Sequence, residues 1–436
     1  MTPAEYKKRQ KKLLKSLGKN CAAILPTASE KTRNRDADFP FRPDSDFRYI
    51  TGFNEPESVA VFVPGRQKGQ YVLFCRESDP LMEIWNGRRA GLSGAKKDYQ
   101  VDEVFPISKL DEILPDLLEN IHRVYYSIGY NESFDKQLMG WVNQVRQKAR
   151  KGVSAPQEFH ALDNIIHEMR LFKSPAEIKT MRQAAKISAK AHIKAMQACK
   201  PGIPEHAVEA ELNHTFTSYG CPAAYTSIVG GGENGCILHY TENNAPLNDG
   251  DLLLIDAGAE LDCYASDITR TFPVNGTFSP EQKTLYNIVL KAQLAAIKKV
   301  KPGNHWNQPH EAAVKVLTEG LMDVGLLKGD LKTLIEKQAY NKFYMHRTGH
   351  WLGMDVHDVG DYKIQGKWRK LEPGMVLTIE PGLYIAAGSK GVAKKWWNIG
   401  IRIEDDVLVT KNGHDVLSKD TPKSVDEIET LMKDAS

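Results

Sequence analysis

The chain has 436 residues, 58 Lys plus Arg against 55 Asp plus Glu, a formal net charge of +3 and 41% hydrophobic residues. That balance excludes disordered and collagen-like chains and gives no basic footprint for nucleic acid or an acidic membrane. At about 150 residues per domain, the length points to two or three domains. The first twenty residues lack the apolar core of a signal peptide, because Lys7, Lys8, Arg9, Lys11, Lys12 and Lys15 punctuate them. They read as a helix with a solvated basic face and Leu13, Leu14 and Leu17 turned inward. No run of about 18 apolar residues offers a membrane span. Cys21, Cys75, Cys199, Cys221, Cys236 and Cys263 form no C-x-x-C pair. They read as reduced thiols of a cytoplasmic protein.

Strands are predicted at Cys21–Pro26, Phe47–Phe53, Val59–Val63, Tyr71–Cys75 and Val124–Ile128. Helical spacing runs through Leu110–Ile121, interrupted by Pro115, and through Ser133–Lys148. These elements make residues 1–172 an α/β domain. Ser174-Pro175-Ala176-Glu177 then opens a long helix, with Ser at the N-cap, Pro at the first helical position and Glu two further on. Pro201-Gly202 stops it after Cys199. A second domain, 173–436, follows.

That domain contains an internal repeat. Ser279-Pro280-Glu281-Gln282 repeats the helix start, and Lys301-Pro302-Gly303 repeats the stop at Lys200-Pro201-Gly202. Leu247, Gly250, Leu253, Ile255, Asp256 and Gly258 share their spacing with Leu371, Gly374, Leu377, Ile379, Glu380 and Gly382. A repeat this long is a duplicated half-domain, not a solenoid. Two helix–helix–strand units facing each other across a pseudo-two-fold would bring Asp256 and Glu380 together.

Asp256 ends Leu252-Leu253-Leu254-Ile255, a run suited to a strand buried on both faces. A buried Asp must be paired or bind a metal. Glu380 poses the same problem after Ile379, and two such acids repel unless a cation sits between them. Each copy adds a second acidic segment, Tyr264–Thr271 with Asp267 and Ile399–Glu404 with Glu404. In the latter, strict alternation puts Ile399, Ile401 and Ile403 on one face and Arg402 and Glu404 on the other. His239, His346, His350 and His357 stand in two Gly-rich segments nearby. Four carboxylates with histidine form a hard donor set for Mn(II), Co(II), Fe(II) or a dinuclear zinc pair.

Two motifs are decoys. Gly230–Gly235 matches G-x-G-x-x-G, but Cys236–Tyr240 reads as a strand where a dinucleotide site needs a helix. His346, His350 and Gly353 fall in the register of a single-zinc protease motif. Arg347 replaces its general-base Glu, and His357 comes one position late.

Asp256, Asp267, His350, Glu380 and Glu404 match, in order and context, the five metal ligands of the pita-bread metallopeptidases. That family includes methionine aminopeptidase, prolidase and aminopeptidase P. The flanking sequence is similar to the Xaa-Pro aminopeptidase branch in Glu233–Tyr240, Ser266–Phe272, His350–Gly360 and Ile401–Asp406. It is also similar in Pro43–Phe47, Tyr49–Pro56 and Glu83–Arg89, so the resemblance spans nearly the whole chain. It implies a creatinase-like α/β N-terminal domain and an α+β pita-bread C-terminal domain. It further implies two divalent ions, Mn(II) first with Co(II) or Zn(II) as alternatives, and a homo-oligomer, dimer or tetramer.

The resemblance also assigns roles. Asp256 would hold one metal and His350 the other, with Asp267 and Glu404 bridging. Glu380 would ligate and shuttle a proton. His239 and His357 would contact the substrate, His346 would stand beside them, and Arg402 would hold the acids. Trp85 and Tyr362 would shape the substrate pocket. Between Tyr362 and Leu371 the chain carries one residue more than the bacterial pattern, which leaves Arg369 as a candidate pocket arginine without a fixed counterpart. The implied reaction is attack by a metal-held hydroxide on the bond before a proline in second position. Prolidases cut Xaa-Pro dipeptides with the same ligands. Non-catalytic relatives of the fold lose ligands, and all five are present here.

Overall fold

The computed structural model describes residues 1–434. The chain divides into two compact units between Arg170 and Leu171, two residues before the boundary expected after Phe172. The first unit is built on a six-stranded mixed sheet. Its order is Glu103–Pro106, Tyr71–Cys75, Val59–Phe62, Cys21–Pro26, Arg123–Tyr125 and Glu158–His160. The central strands Val59–Phe62 and Tyr71–Cys75 are buried throughout, and their runs of Val, Phe and Leu suit burial on both faces. Helix Glu132–Gln147 covers one face with Phe134, Leu138, Trp141, Val142 and Val145 against Ile24, Val61, Val72 and Phe74. Helix Pro3–Leu17 buries Leu13 and Leu17 and leaves Leu14 half-buried.

One predicted strand is wrong. Of Phe47–Phe53, Phe47–Thr51 belongs to the helix Ser45–Thr51, and Gly52 and Phe53 lie beyond its end. Two local signals outweigh its aromatic content. The Asp44 carboxylate caps the start by accepting from the Phe47 N–H at 2.9 Å, and Gly52, at φ 71°, ends it in the left-handed conformation. The predicted strand Val124–Ile128 is shorter and earlier, Arg123–Tyr125.

The second unit shows the same order of elements twice. Helix Pro175–Ala198 packs on Glu205–Ser218, and helix Pro280–Ile297 packs on Asn307–Asp323. Both long helices open with full capping boxes, Ser174 with Glu177 and Ser279 with Gln282. In the first copy, strand Leu252–Asp256 pairs antiparallel with Thr269–Pro273, so that Asp256 opposes Thr269. In the second, Val376–Ile379 pairs antiparallel with Asp405–Thr410, so that Ile379 opposes Asp405. Each copy therefore puts one acid at the end of a strand and another just before its partner strand. The halves are joined where the Glu404 N–H donates to the Thr269 carbonyl at 3.0 Å and the Thr271 hydroxyl donates to the Arg402 carbonyl at 3.1 Å.

Leu253, Ile255, Phe272, Leu377, Ile379, Ile401 and Ile403 share one core, while Leu254 packs on the other side with Ile228, Tyr240 and Tyr384. Burial on both sides explains why Leu252–Ile255 does not alternate. The expected strand Cys236–Tyr240 is absent. Gly232–Cys236 is a 3-10 turn and the chain beyond it is irregular. The fully buried Glu205 carboxylate is the physical reason. It accepts from the Gly231 N–H, the Asn234 amide, the Tyr240 hydroxyl and the Ala245 N–H, all at 2.8–2.9 Å, and folds this segment back on itself. A dinucleotide loop is excluded all the same, since no α-helix follows the glycines.

Candidate metal centre and active site

The ends of these strands meet at the floor of a cavity of about 1060 Å³. Asp256, Asp267, His350, Glu380 and Glu404 all line it. Ligand atoms of Asp267, His350 and Glu404 lie within 4.8 Å of one another. His350 Nε2 stands 3.4 Å from Asp267 Oδ2 and 3.6 Å from Glu380 Oε1. The Tyr225 hydroxyl is 2.6 Å from both Asp256 Oδ1 and Asp267 Oδ1. Arg402 donates to Asp256 Oδ2 at 2.7 Å, and the Thr269 hydroxyl donates to Glu404 Oε2 at 2.6 Å. Arg402 and Glu404 are 4% and 2% exposed, so the polar side of Ile399–Glu404 faces the site and not solvent.

The electrostatics follow from crowding acids out of water. Burial first, and then repulsion from Asp267, Glu380 and Asp256, holds Glu404 well above the ordinary carboxylate range. Burial raises Glu380 to about 7 against the opposing pull of His350 and Arg402. Asp256 is raised by burial, with Arg402 opposing. Asp267 goes the other way. Burial pushes it up, but its hydrogen bond and attraction to His350 hold it below its usual value. Burial disfavours a charged His350, yet its carboxylate neighbours raise it to about 9. His346 is pushed down to about 3 by burial and by Arg402. Carboxyl groups crowded out of water beside an imidazole and one guanidinium fit hard divalent cations.

The remaining histidines surround this floor. His346 Nε2 stands 2.9 Å from the Tyr384 hydroxyl, and its Nδ1 is 3.7 Å from Glu380 Oε2. The His357 ring lies 4.0 Å from that of His350, and His239 lines the cavity from the irregular loop that Glu205 holds. Tyr362 lines it within an aromatic wall, 4.6 Å from Trp306 and stacked at 5.7 Å on Trp351. Trp85 belongs to the first unit, on the short helix Pro80–Asn86, and is 82% exposed. Arg369 does not line the cavity. It is buried with its guanidinium over the Phe172 ring at 5.5 Å.

Residues 179–411 match the model of metallopeptidase family M24, and residues 6–125 match the aminopeptidase P N-terminal domain. The chain belongs to metallopeptidase family M24. Among curated relatives, Xaa-Pro aminopeptidase from Haemophilus influenzae is 44% identical over 98% of this chain and 97% of its own length. The structure of Pseudomonas aeruginosa aminopeptidase PepP is 56% identical, with a TM-score of 0.99 over 100% of this chain and 99% of that one. An Escherichia coli aminopeptidase P variant in complex with substrate is 42% identical, with a TM-score of 0.97 over 100% and 99% of the two chains. The M24 fold here is thus a pita-bread domain that follows an aminopeptidase P N-terminal domain.

Three site residues escaped the sequence reading. Tyr225 joins two acids, Thr269 joins Glu404 to Arg402 Nε at 3.1 Å, and Tyr384 receives Arg402 at 3.0 Å. Tyr384 had a weak signal, since it follows Glu380-x-Gly382 on a buried strand. Tyr225 had none, because its segment has no regular periodicity.

Proposed function

We propose that this chain is a dinuclear metal-dependent Xaa-Pro aminopeptidase that releases the N-terminal residue from peptides with proline second. One observation carries the reading: four carboxylates and His350 meet at the floor of a cavity that three further histidines also line. Full-length similarity to enzymes named for that activity supports it. Prolidase is not favoured. The cavity's volume lies just above the roughly 300–1,000 Å³ of small-molecule sites, which suits peptides beyond a dipeptide.

Asp256, Asp267, His350, Glu380 and Glu404 would hold two divalent ions, with Mn(II) our first choice. The ions, when bound, supply Lewis acidity and lower the pKa of water towards neutrality. Glu380 takes a proton from the attacking water and returns it to the leaving prolyl nitrogen. That nitrogen carries no hydrogen in the peptide, so cleavage needs a delivered proton. His357 and His239 donate to the scissile carbonyl oxygen as charge develops on it. Arg402 fixes Asp256 and, through Thr269, Glu404. His346, held neutral by burial, orients Tyr384 and so Arg402. Tyr362 packs against the substrate.

We further infer a homo-oligomer, because Leu81, Ile84 and Trp85 on one short helix are each more than 70% exposed. Six free cysteines support a reducing, cytoplasmic setting. Among the described residues, no helix is long and apolar enough to cross a membrane.

The test is hydrolysis of an Xaa-Pro-Xaa tripeptide and an Xaa-Pro dipeptide by chelator-stripped protein, before and after Mn(II) addition. Metal-dependent tripeptide cleavage with little dipeptide hydrolysis is the expected result. The reverse preference would make the protein a prolidase, and no cleavage with any divalent ion would remove the enzymatic reading.

A further inference from the structure

Beyond its acidic floor, the cavity has a basic mouth. Arg347, Lys363 and Trp368 line it together with the metal-site residues. Lys363 and Trp368 face each other across a two-stranded hairpin, Lys363–Ile364 with Lys367–Trp368. Gln365 and Gly366, at φ 49° and 78°, form its turn, the paired positive φ values of a tight hairpin. Lys363 Nζ stands 4.3 Å from the centre of the Trp368 ring, and the Arg347 guanidinium stands 5.3 Å from it. The Arg347 guanidinium also donates to Asn307, and the Arg369 N–H donates to the Tyr362 carbonyl at 2.9 Å, so both edges of the mouth are tethered. Arg347 and Lys363 are exposed.

The charges along the cavity are therefore segregated. Every acid that lines it, namely Asp256, Asp267, Glu380 and Glu404, belongs to the floor. Two cations stand against one aromatic platform at the solvent end. A peptide that presents its ammonium group to the floor and extends outward would bring its far end to that platform. The Trp368 indole holds the ammonium and guanidinium groups in place, and both can donate charge-assisted hydrogen bonds to a carboxylate.

We propose that Arg347 and Lys363, both packed against Trp368, form a carboxylate-binding subsite that selects peptides with a negative charge just beyond the proline. The charge is either the C-terminal carboxylate of a short peptide or an acidic side chain. This inference rests on the aminopeptidase reading and names the substrate class of the same site.

The experiment compares kcat/KM of the Mn(II)-loaded full chain on four tripeptides. These are Xaa-Pro-Gln as free acid, and Xaa-Pro-Gln, Xaa-Pro-Glu and Xaa-Pro-Lys as C-terminal amides. Exposed cations of this kind give about a two- to fivefold preference, falling with added salt. A preference for the free acid over its amide identifies the terminal carboxylate as ligand. A preference for the Glu over the Lys amide identifies the side chain. Lys363→Gln should bring these ratios towards one, and Lys363→Glu should invert the Glu-over-Lys ratio. Equal kcat/KM values for all four peptides, or a preference unchanged in both variants, would overturn the subsite. Calorimetric binding of the same peptides to the metal-loaded Glu380→Gln variant separates the two ideas. A charge preference in binding without turnover in the parent would sink the aminopeptidase reading and leave the subsite standing.

Discussion

The Tyr225 hydroxyl stands at hydrogen-bond distance from two carboxylates and has one proton to give, so it couples Asp256 to Asp267 instead of belonging to either. Outer contacts of this kind orient ligands and commonly change metal affinity by 10–100-fold. Tyr225→Phe should therefore weaken metal binding by roughly tenfold or more in a metal titration, with the circular dichroism spectrum unchanged. Unaltered affinity would reduce Tyr225 to packing. In the first unit, His167 Nε2 lies 3.2 Å from Asp46 Oδ2, and Arg170 donates to Asp46 Oδ1 at 2.7 Å. Burial raises Asp46, but His167 and Arg170 together hold it below its ordinary value. Burial lowers His167, but its bond to Asp46 raises it overall. The Asp46 contribution is present above its unfolded pKa of about 3.9 and is lost as pH falls through the depressed folded value. The His167 contribution is complete below about 6.5 and is lost as pH rises through the raised folded value. Stability from this cluster should peak between those limits. His167→Gln should flatten the decline in melting temperature above about pH 6.5, and an unchanged pH profile would exclude the cluster as its source.

At the scale of elements, glycines let ligand-bearing segments approach their neighbours. A Cβ on Gly258 would lie 1.8 Å from the Ser266 carbonyl oxygen, and one on Gly349 would lie 2.0 Å from the Thr378 carbonyl oxygen. Backbone oxygens cannot swing aside as side chains do. Gly258→Ala should cost at least the upper end of the ~1–3 kcal/mol typical of overpacking. It should also lower metal content, because Ser266 precedes Asp267. Denaturant unfolding and metal analysis of the purified variant would check both, and wild-type values in both would mean that the strands separate without consequence. The repeated capping boxes at Ser174 and Ser279 show the opposite case, in which short-range chemistry suffices to start a helix. The misread segment Phe47–Phe53 carries a related lesson. Asp44 caps that helix and Gly52 ends it, and this local chemistry outweighs the aromatic content between them.

For the whole molecule, the metal centre couples binding to stability, because folding assembles four acids that the unfolded chain keeps apart. A ligand that binds only the folded state adds about 2.7 kcal/mol at a concentration 100 times its Kd. Mn(II) should therefore raise the melting temperature of chelator-stripped protein, and a chelator should reverse the rise. A melting temperature indifferent to divalent ions would count against a resident metal pair. The two units allow a further check, since the shift should follow probes in the second unit, such as Trp306 and Trp351 near the site, and not Trp141 in the first.

The sequence by itself determined the two-unit plan, the duplicated helix–helix–strand order and the identity of the acids that line the cavity. Those features are written in local periodicity, in cap residues and in spacing repeated between Asp256 and Glu380. Only the tertiary structure decided what surrounds them. Tyr225 reaches acids 31 and 42 residues away, and Thr269 reaches Glu404 across 135 residues. Glu205, placed at the start of a helix by sequence position, turns out to organise the loop that carries His239. Arg347 and Lys363 meet at Trp368 only because a hairpin folds back over the cavity mouth. Hydrogen bonds and ion pairs between distant segments leave no period in the chain, so their partners become visible only when the strands are paired.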